Sequence, residues 1–149
     1  MATNDDDIGV LNGLIEVTID SAEGYKEAAG DVKNPELKAI FQRRAVERRT
    51  ATAALQSQVR ALGGQPEDDG TVLASMHRKF LNLRNSVQSG DRVVIDEVER
   101  GEDHIKAKYE DAFKDGKLSA SSLTVAQQAY GSVRSGHDEM SRLKHSLQH

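Results

Sequence analysis

The sequence predicts an all-α protein built as a four-helix bundle, and three observations lead to this fold class. Apolar residues recur at every third or fourth position over long stretches, which is the period of a helix buried along one face. Aromatic residues make up only 4% of the chain, tryptophan is absent and there are two prolines, a composition that suits helices better than a β-sandwich. The length of 149 residues fits one domain, 1–149, with a single core.

The first two helices are predicted at about 8–30 and 35–62. The inward face of the first repeats with alternating spacings of four and three residues. The second begins after Asn34, a favourable N-cap, with Pro35 at its first position, and it ends at Gly63. The predicted inward faces are Leu11, Ile15, Thr18, Ala22, Tyr25 and Ala29 in the first helix, and Phe41, Ala45, Arg48, Thr52, Leu55, Val59 and Leu62 in the second.

A long connection and two further helices complete the predicted fold. The loop sequence QPEDDG precedes a short helix at about 71–88, which we interpret as a crossover between helices 2 and 3. The third helix is expected at 91–115, capped by Asp91, and the fourth at 121–146, capped within 119–122. Two helical hairpins joined by one long connection are typical of a four-helix bundle with a single crossover.

Composition and charge narrow the function classes. Without cysteine there is no disulfide, no thiolate metal site and no cysteine nucleophile, so a metal would need Glu, Asp or His ligands. The formal net charge of −4 disfavours a nucleic-acid binder held by bulk electrostatics. The acidic start lacks the features of a secretory signal, and no stretch approaches the ~20 apolar residues of a membrane helix. We therefore expect a cytoplasmic protein with neither a membrane nor a nucleic acid as partner.

Polar residues interrupt the apolar faces at one level of the predicted bundle. Thr18 and Arg48 lie about equally far from the turn between the first two helices, so they should face each other near mid-bundle. Glu102 and His137 take inward positions in the third and fourth helices, and the lean of helical side chains brings them towards one level. The predicted buried polar layer consists of Thr18, Tyr25, Arg48, Glu102, Tyr109 and His137.

Several stretches together resemble a known family. They are GLIEVTIDSAEGYKEAA, NPELKAIFQRRAVERR with ALGGQP, VERGEDHIKAKYEDA and VRSGHDEMSRL, which cover the chain from about residue 8 to 145. In this combination and order the chain resembles ferritin-like proteins, and more closely a bacterial family of ferritin-like four-helix-bundle domains of unknown function. The resemblance implies the ferritin-like fold with its crossover, and it implies no particular activity.

The resemblance also allows a comparison with metal sites. Di-iron members of the ferritin-like class place one Glu on each of two helices and Glu-x-x-His on each of the other two. Here the corresponding positions hold Thr18, Arg48, Glu102 and His137, and Arg134 stands where a Glu would precede the histidine. Only Glu102 and His137 are of the types that the site requires.

The first functional hypothesis is a non-enzymatic bundle. Because a guanidinium repels bound iron and pairs well with a carboxylate, we interpret Arg48, Glu102 and His137 as a buried network that replaces a degenerate di-iron site, with no cofactor. This interpretation predicts a stress-associated or protein-interaction protein with an unidentified protein partner. Enzymatic activity stays open, although the residues favour none.

The alternative is a metal-binding ferritin-like oxidoreductase or iron-handling protein. Iron or manganese would be held by Glu102 and His137, and further carboxylates would have to move in to complete the site. The candidates for these additional ligands are Glu23, Glu99 and Asp103.

Two other surface patterns bear on partners. Arg43, Arg44, Arg48 and Arg49 would suit a nucleic-acid patch, but glutamates interleave and no aromatic stacking partner is near, so a solvated face is favoured. A second apolar row on the first helix makes a homodimer plausible, because a crossover helix or another subunit would have to cover it. This row consists of Val10, Leu14 and Val17.

Overall fold

The computed structural model describes residues 4–68 and 90–147, and this part of the chain is a four-helix bundle without strands. Its helices are α1 (Asn4–Asp31), α2 (Pro35–Ala61), α3 (Gly90–Asp115) and α4 (Ala120–Leu147). The start of α2 has a simple local cause, because the Asn34 side chain accepts a hydrogen bond from Glu36 N at 2.8 Å and Pro35 needs no such partner. The crossover helix expected at 71–88 lies outside the described residues.

Helix directions follow from side-chain contacts at the two ends of the bundle. Asp91, in the first turn of α3, accepts hydrogen bonds from the backbone N–H groups of Lys33 and Asn34 at 2.8 and 2.9 Å, so α3 begins where α1 ends. At the opposite end, Asp7 in α1 contacts Ser119, which immediately precedes α4. Helices α1 and α4 therefore run in one direction, and α2 and α3 run in the other.

The packing order places α2 and α3 on a diagonal. Helix α1 packs mainly against α2 and α3, and α4 packs against the same two helices. A side chain that joins α2 to α3 must therefore pass between α1 and α4. Small residues on those two helices are a physical requirement for any contact along this diagonal.

Helix α1 begins at Asn4, about one turn before the start predicted from apolar spacing. This turn contains Asp5, Asp6 and Asp7, whose carboxylates interact favourably with the positive end of the helix dipole. Apolar periodicity cannot detect a turn made of polar residues. Nor does it indicate that Asp7 is buried, with 1% of its surface exposed.

Two apolar clusters fill the core, one towards each end. The first is centred on Leu11, Ile15, Leu55, Ile105 and Val133, and the second on Tyr25, Phe41, Ile95, Val98 and Met140.

The second apolar row of α1, which made a homodimer plausible, is largely covered within the single chain, since Leu14 and Val17 are buried. No helix within the described ranges combines the length and apolar character needed to cross a membrane.

Asp7 joins the beginnings of α1 and α4. Its carboxylate accepts hydrogen bonds from Ser119 N at 2.9 Å, from the Ser119 hydroxyl and from the Ser122 hydroxyl at 2.9 Å. Burial alone would raise the pKa of Asp7, but these hydrogen bonds outweigh it and lower the pKa below the ordinary value. The charged carboxylate is therefore the form that stabilises the fold.

We predict that Asp7→Asn lowers the free energy of unfolding at pH 7 by about 1–2 kcal/mol. Because the folded-state pKa lies below the unfolded value of about 3.9, the stabilisation is complete above that value and is lost as the pH falls through the folded-state pKa. Urea unfolding at pH 7 and at about pH 3 should therefore show the difference from wild type shrinking in acid. The exposed neighbour Asp5 provides the control, since Asp5→Asn removes the same charge from the same helical turn. Equal effects of the two substitutions would contradict the capping role.

Candidate functional site

A buried ion pair occupies the middle of the bundle. The Arg48 guanidinium donates from Nη1 to Glu102 Oε1 and from Nη2 to Glu102 Oε2, both at 2.7 Å. The Arg48 side chain is 0% exposed and that of Glu102 is 2% exposed. The pairing joins α2 to α3 along the bundle diagonal, and two parallel hydrogen bonds fix both the separation and the orientation of the two groups.

Neighbours on α1 and α4 supply further contacts to the guanidinium. Nη1 of Arg48 also donates to Ser21 Oγ at 2.5 Å, and Nη2 donates to the Ser132 carbonyl at 3.3 Å. The Arg48 guanidinium carbon lies 5.4 Å from the centre of the Tyr25 ring, within cation–π range. Burial opposes the charged form, yet the charge and hydrogen bonds of Glu102 raise the pKa of Arg48. The arginine therefore stays charged in the core.

Gly136 of α4 creates the space that the ion pair needs. A Cβ atom at this position would overlap Arg48 Nη2 and lie 2.7 Å from Glu102 Oε2. Both atoms belong to fully buried groups that hold each other in place, so neither can move away without breaking a charged hydrogen bond. Any side chain at residue 136 would compete with the ion pair for the same volume.

Two tyrosines lie close to the ion pair, and burial raises the pKa of both. Thr18 donates its hydroxyl to the Leu14 carbonyl at 2.6 Å, which leaves its oxygen to accept from Tyr109 at 2.7 Å. Burial raises the pKa of Tyr109 to about 12, even though Thr18 and Arg48 act in the opposite direction. Burial, followed by the charge of Glu102, raises the pKa of Tyr25 well above its ordinary value. Both phenols are neutral at physiological pH.

Residues 6–115 match the family described as Domain of unknown function (DUF2383). This match covers more than two thirds of the chain. The chain belongs to the DUF2383 family. The matched region contains α2, α3 and all of α1 except its first two residues, and therefore both members of the ion pair, Arg48 and Glu102. No curated protein matches the chain.

His137 lies at the edge of the buried layer and not within it, where the sequence analysis had placed it. The His137 side chain is 23% exposed, and its Nε2 lies 2.7 Å from Asp103 Oδ1. Each of these residues follows an inward residue, Gly136 in α4 and Glu102 in α3, and one step along a helix turns the side chain by about 100°. The prediction failed because Gly136 has no side chain and so leaves no mark in a hydropathy pattern. The inward position was therefore assigned to the next residue, His137.

The carboxylates proposed as extra metal ligands do not gather around Glu102. Glu99 accepts a hydrogen bond from Lys144 Nζ at 3.0 Å, and Asp103 is 61% exposed beside His137. Glu23 is half-buried on α1. Among residues 4–68 and 90–147, no group of three or more His, Asp or Glu side chains is arranged to hold a metal ion.

The arginines of α2 have separate partners. Arg43 and Arg44 both donate to the Glu139 carboxylate, at 3.1 and 2.8 Å, and Arg44 also donates to Glu47 at 2.8 Å. Burial would lower the pKa of Arg44, but Glu139 and Glu47 raise it overall. With Arg48 in the core, the cluster does not form one continuous basic face.

Sequence reasoning missed three contributors to this site: Ser21, Ser132 and Gly136. The first two offer only a hydroxyl and a carbonyl, which carry no signal in an apolar pattern. A glycine in the interior of a helix carries a weak signal, because it destabilises the helix by roughly 0.5–1 kcal/mol relative to alanine. That signal does not single out Gly136, since Gly131 lies in the same helix and has nothing within 4 Å of its Cβ position.

We predict that Gly136→Ala destabilises the protein despite the better helix propensity of alanine. Displacing the ion pair should cost about 2–4 kcal/mol, of which the propensity gain recovers up to ~1 kcal/mol, leaving a net loss of about 1–3 kcal/mol. Gly131 on the same helix is the matched control, because a Cβ atom there meets nothing within 4 Å. Urea unfolding should show Gly131→Ala unchanged or more stable by up to ~1 kcal/mol. If both substitutions stabilised the protein, the ion pair could accommodate a methyl group at residue 136 and the prediction would be wrong.

A second prediction concerns the ion pair itself. Glu102→Gln leaves Arg48 buried without a counter-charge, so we expect the free energy of unfolding to fall by about 3 kcal/mol. The double variant Arg48→Met with Glu102→Met removes both charges and should lie within about 1 kcal/mol of wild type. Both values can be measured by urea unfolding. A negligible effect of Glu102→Gln alone would indicate that water reaches the pair.

Proposed function

We propose that this protein is a non-enzymatic ferritin-like bundle that acts through contacts with other proteins, with an ion pair where related bundles keep a di-iron centre. The observation that carries this proposal is the full engagement of Glu102. Both of its oxygens accept hydrogen bonds from Arg48, whose fixed positive charge would repel a metal ion at the same carboxylate.

The directions of the helices support the ferritin-like part of the proposal. Helices α2 and α3 begin at the same end of the bundle, so the end of α2 and the start of α3 lie at opposite ends. Helix directions of this kind are those of a ferritin-like four-helix bundle with one crossover. The mid-bundle level of Arg48 and Glu102 is also the level at which that class builds metal sites from facing helices.

Charge argues against iron or manganese at this level. A di-iron site uses four carboxylates and two imidazoles to offset the charge of two divalent cations. In this protein the same level of the bundle holds Arg48, a permanent cation, which would add to that charge. The remaining candidate ligand, His137, bonds to Asp103 instead of facing Glu102. The alternative metal-binding function would require Arg48 to leave the core and α4 to rotate.

Metal reconstitution tests the proposal directly. The intact chain, purified without chelator, is incubated anaerobically with Fe(II) or with Mn(II), desalted and analysed by inductively coupled plasma mass spectrometry. We expect far less than one equivalent of either metal and no change in melting temperature, because binding to the folded state would raise it.

Two variants separate a specific site from surface binding in the same assay. If wild type retained stoichiometric metal, and Glu102→Ala and His137→Ala each lost it, the alternative function would be correct. An exposed carboxylate away from the layer, Asp111, gives the control variant Asp111→Ala. Equal metal content in all four proteins would identify nonspecific adsorption and leave the proposal standing.

A further inference from the structure

A basic groove runs along the outer face of the α1–α2 hairpin, near the turn that joins the two helices. It has a volume of about 310 Å³. Its charged residues are Lys26 from α1 and Lys38 and Arg49 from α2. Ala29, Ala45 and Val46 are among the residues that form its apolar surface.

The groove has a charge opposite to that of the whole chain. Three cations line it and no carboxylate does, although the formal net charge of the protein is −4. Within the described residues, Lys26, Lys38 and Arg49 form no hydrogen bond or ion pair, unlike Arg43 and Arg44 nearby. These three cations are therefore available to an external anion.

The groove also has an apolar anchor point. Val46 is 58% exposed and is the large hydrophobic residue that stands out on the described surface. It lies beside Ala29 and Ala45, which are 4% and 2% exposed and form a flat floor of small side chains. A partner that places one aliphatic side chain against Val46 would remove apolar surface from water on both sides.

Charge disfavours the predicted crossover helix, 71–88, as the occupant of the groove. Its sequence contains Arg78, Lys79 and Arg84 and no Asp or Glu, so it does not complement a basic surface. A nucleic acid is also poorly matched, because the groove offers no aromatic side chain for base stacking. The complementary occupant has an apolar stripe bordered by carboxylates, and an amphipathic helix laid in a groove has that form.

We propose that the basic groove binds an acidic amphipathic helix of a partner protein, with its apolar face on Val46 and its carboxylates on Lys26, Lys38 and Arg49. This proposal rests on the proposed function, since it names the class of partner that an interaction bundle would take. The helical hairpin supplies a rigid, preformed surface, which limits the entropy lost on binding.

The test uses a defined probe and the intact chain. The probe is a fluorescein-labelled helical peptide of about 18 residues with leucines on one face and glutamates on both flanks. Fluorescence anisotropy measures its binding, and ¹⁵N amide shifts locate it. We expect saturable binding that weakens as NaCl is raised, with the largest shifts at Ala29 and Val46.

Charge-reversal variants decide whether the groove is responsible. Lys38→Glu with Arg49→Glu should weaken binding at least about tenfold, and Val46→Ser about three- to tenfold. The control is Lys108→Glu with Arg142→Glu, which makes the same change in net charge at exposed positions of α3 and α4 and should leave affinity within about twofold. Circular dichroism verifies that each variant is folded.

Three results would overturn the groove proposal. They are absence of peptide binding, equal weakening by the groove and control variants, and equally tight binding of a labelled oligo-dT strand, which would identify a general polyanion site. These results concern the groove alone. The proposed function is tested separately, by the metal content of the reconstituted chain, and it stands if the chain takes up no metal. Conversely, stoichiometric metal at Glu102 and His137 would refute the proposed function whatever the peptide does.

Discussion

The ion pair between Arg48 and Glu102 is the constraint on which the rest of the bundle depends. Removing two charges from water costs several kcal/mol per ion, and only a fixed bidentate geometry with additional hydrogen bonds can offset that cost. The pair reaches across the diagonal from α2 to α3, so the helices on either side must leave room for it. Gly136 on α4 does so by having no side chain, and Ser21 on α1 has a small side chain whose hydroxyl oxygen accepts a hydrogen bond from Arg48.

This central layer divides the core into two apolar clusters and fixes their registration. A shift of either hairpin by one residue would separate Arg48 from Glu102 and bury both charges unpaired, whereas apolar contacts alone would tolerate such a slip more easily. The bundle therefore loses some potential hydrophobic stabilisation, but its two hairpins can pack stably in only one register.

Much of this architecture could be predicted from the sequence. The four helices follow from apolar periodicity and capping residues, and Arg48 with Glu102 could be predicted as a pair because opposite charges on inward faces need one another. The error at His137 has a physical cause. Hydropathy patterns register side chains, and the inward position of α4 at this level is Gly136, which has none. Ser132 was invisible for a related reason, since it contributes a backbone carbonyl.

The contacts between the two hairpins also bear on how the chain folds. The two residues of the ion pair are 54 positions apart in the sequence. Asp91 is 57 and 58 positions from the two backbone N–H groups that donate to it, and Asp7 is 112 and 115 positions from its two serine partners. Each hairpin can form from local contacts, but these links form only when the hairpins dock, after the entropy of closing a long loop has been lost. Docking in the wrong register would bury the Arg48 guanidinium without its carboxylate, at a cost of several kcal/mol. The central charge thus also acts against misaligned assembly of the two hairpins.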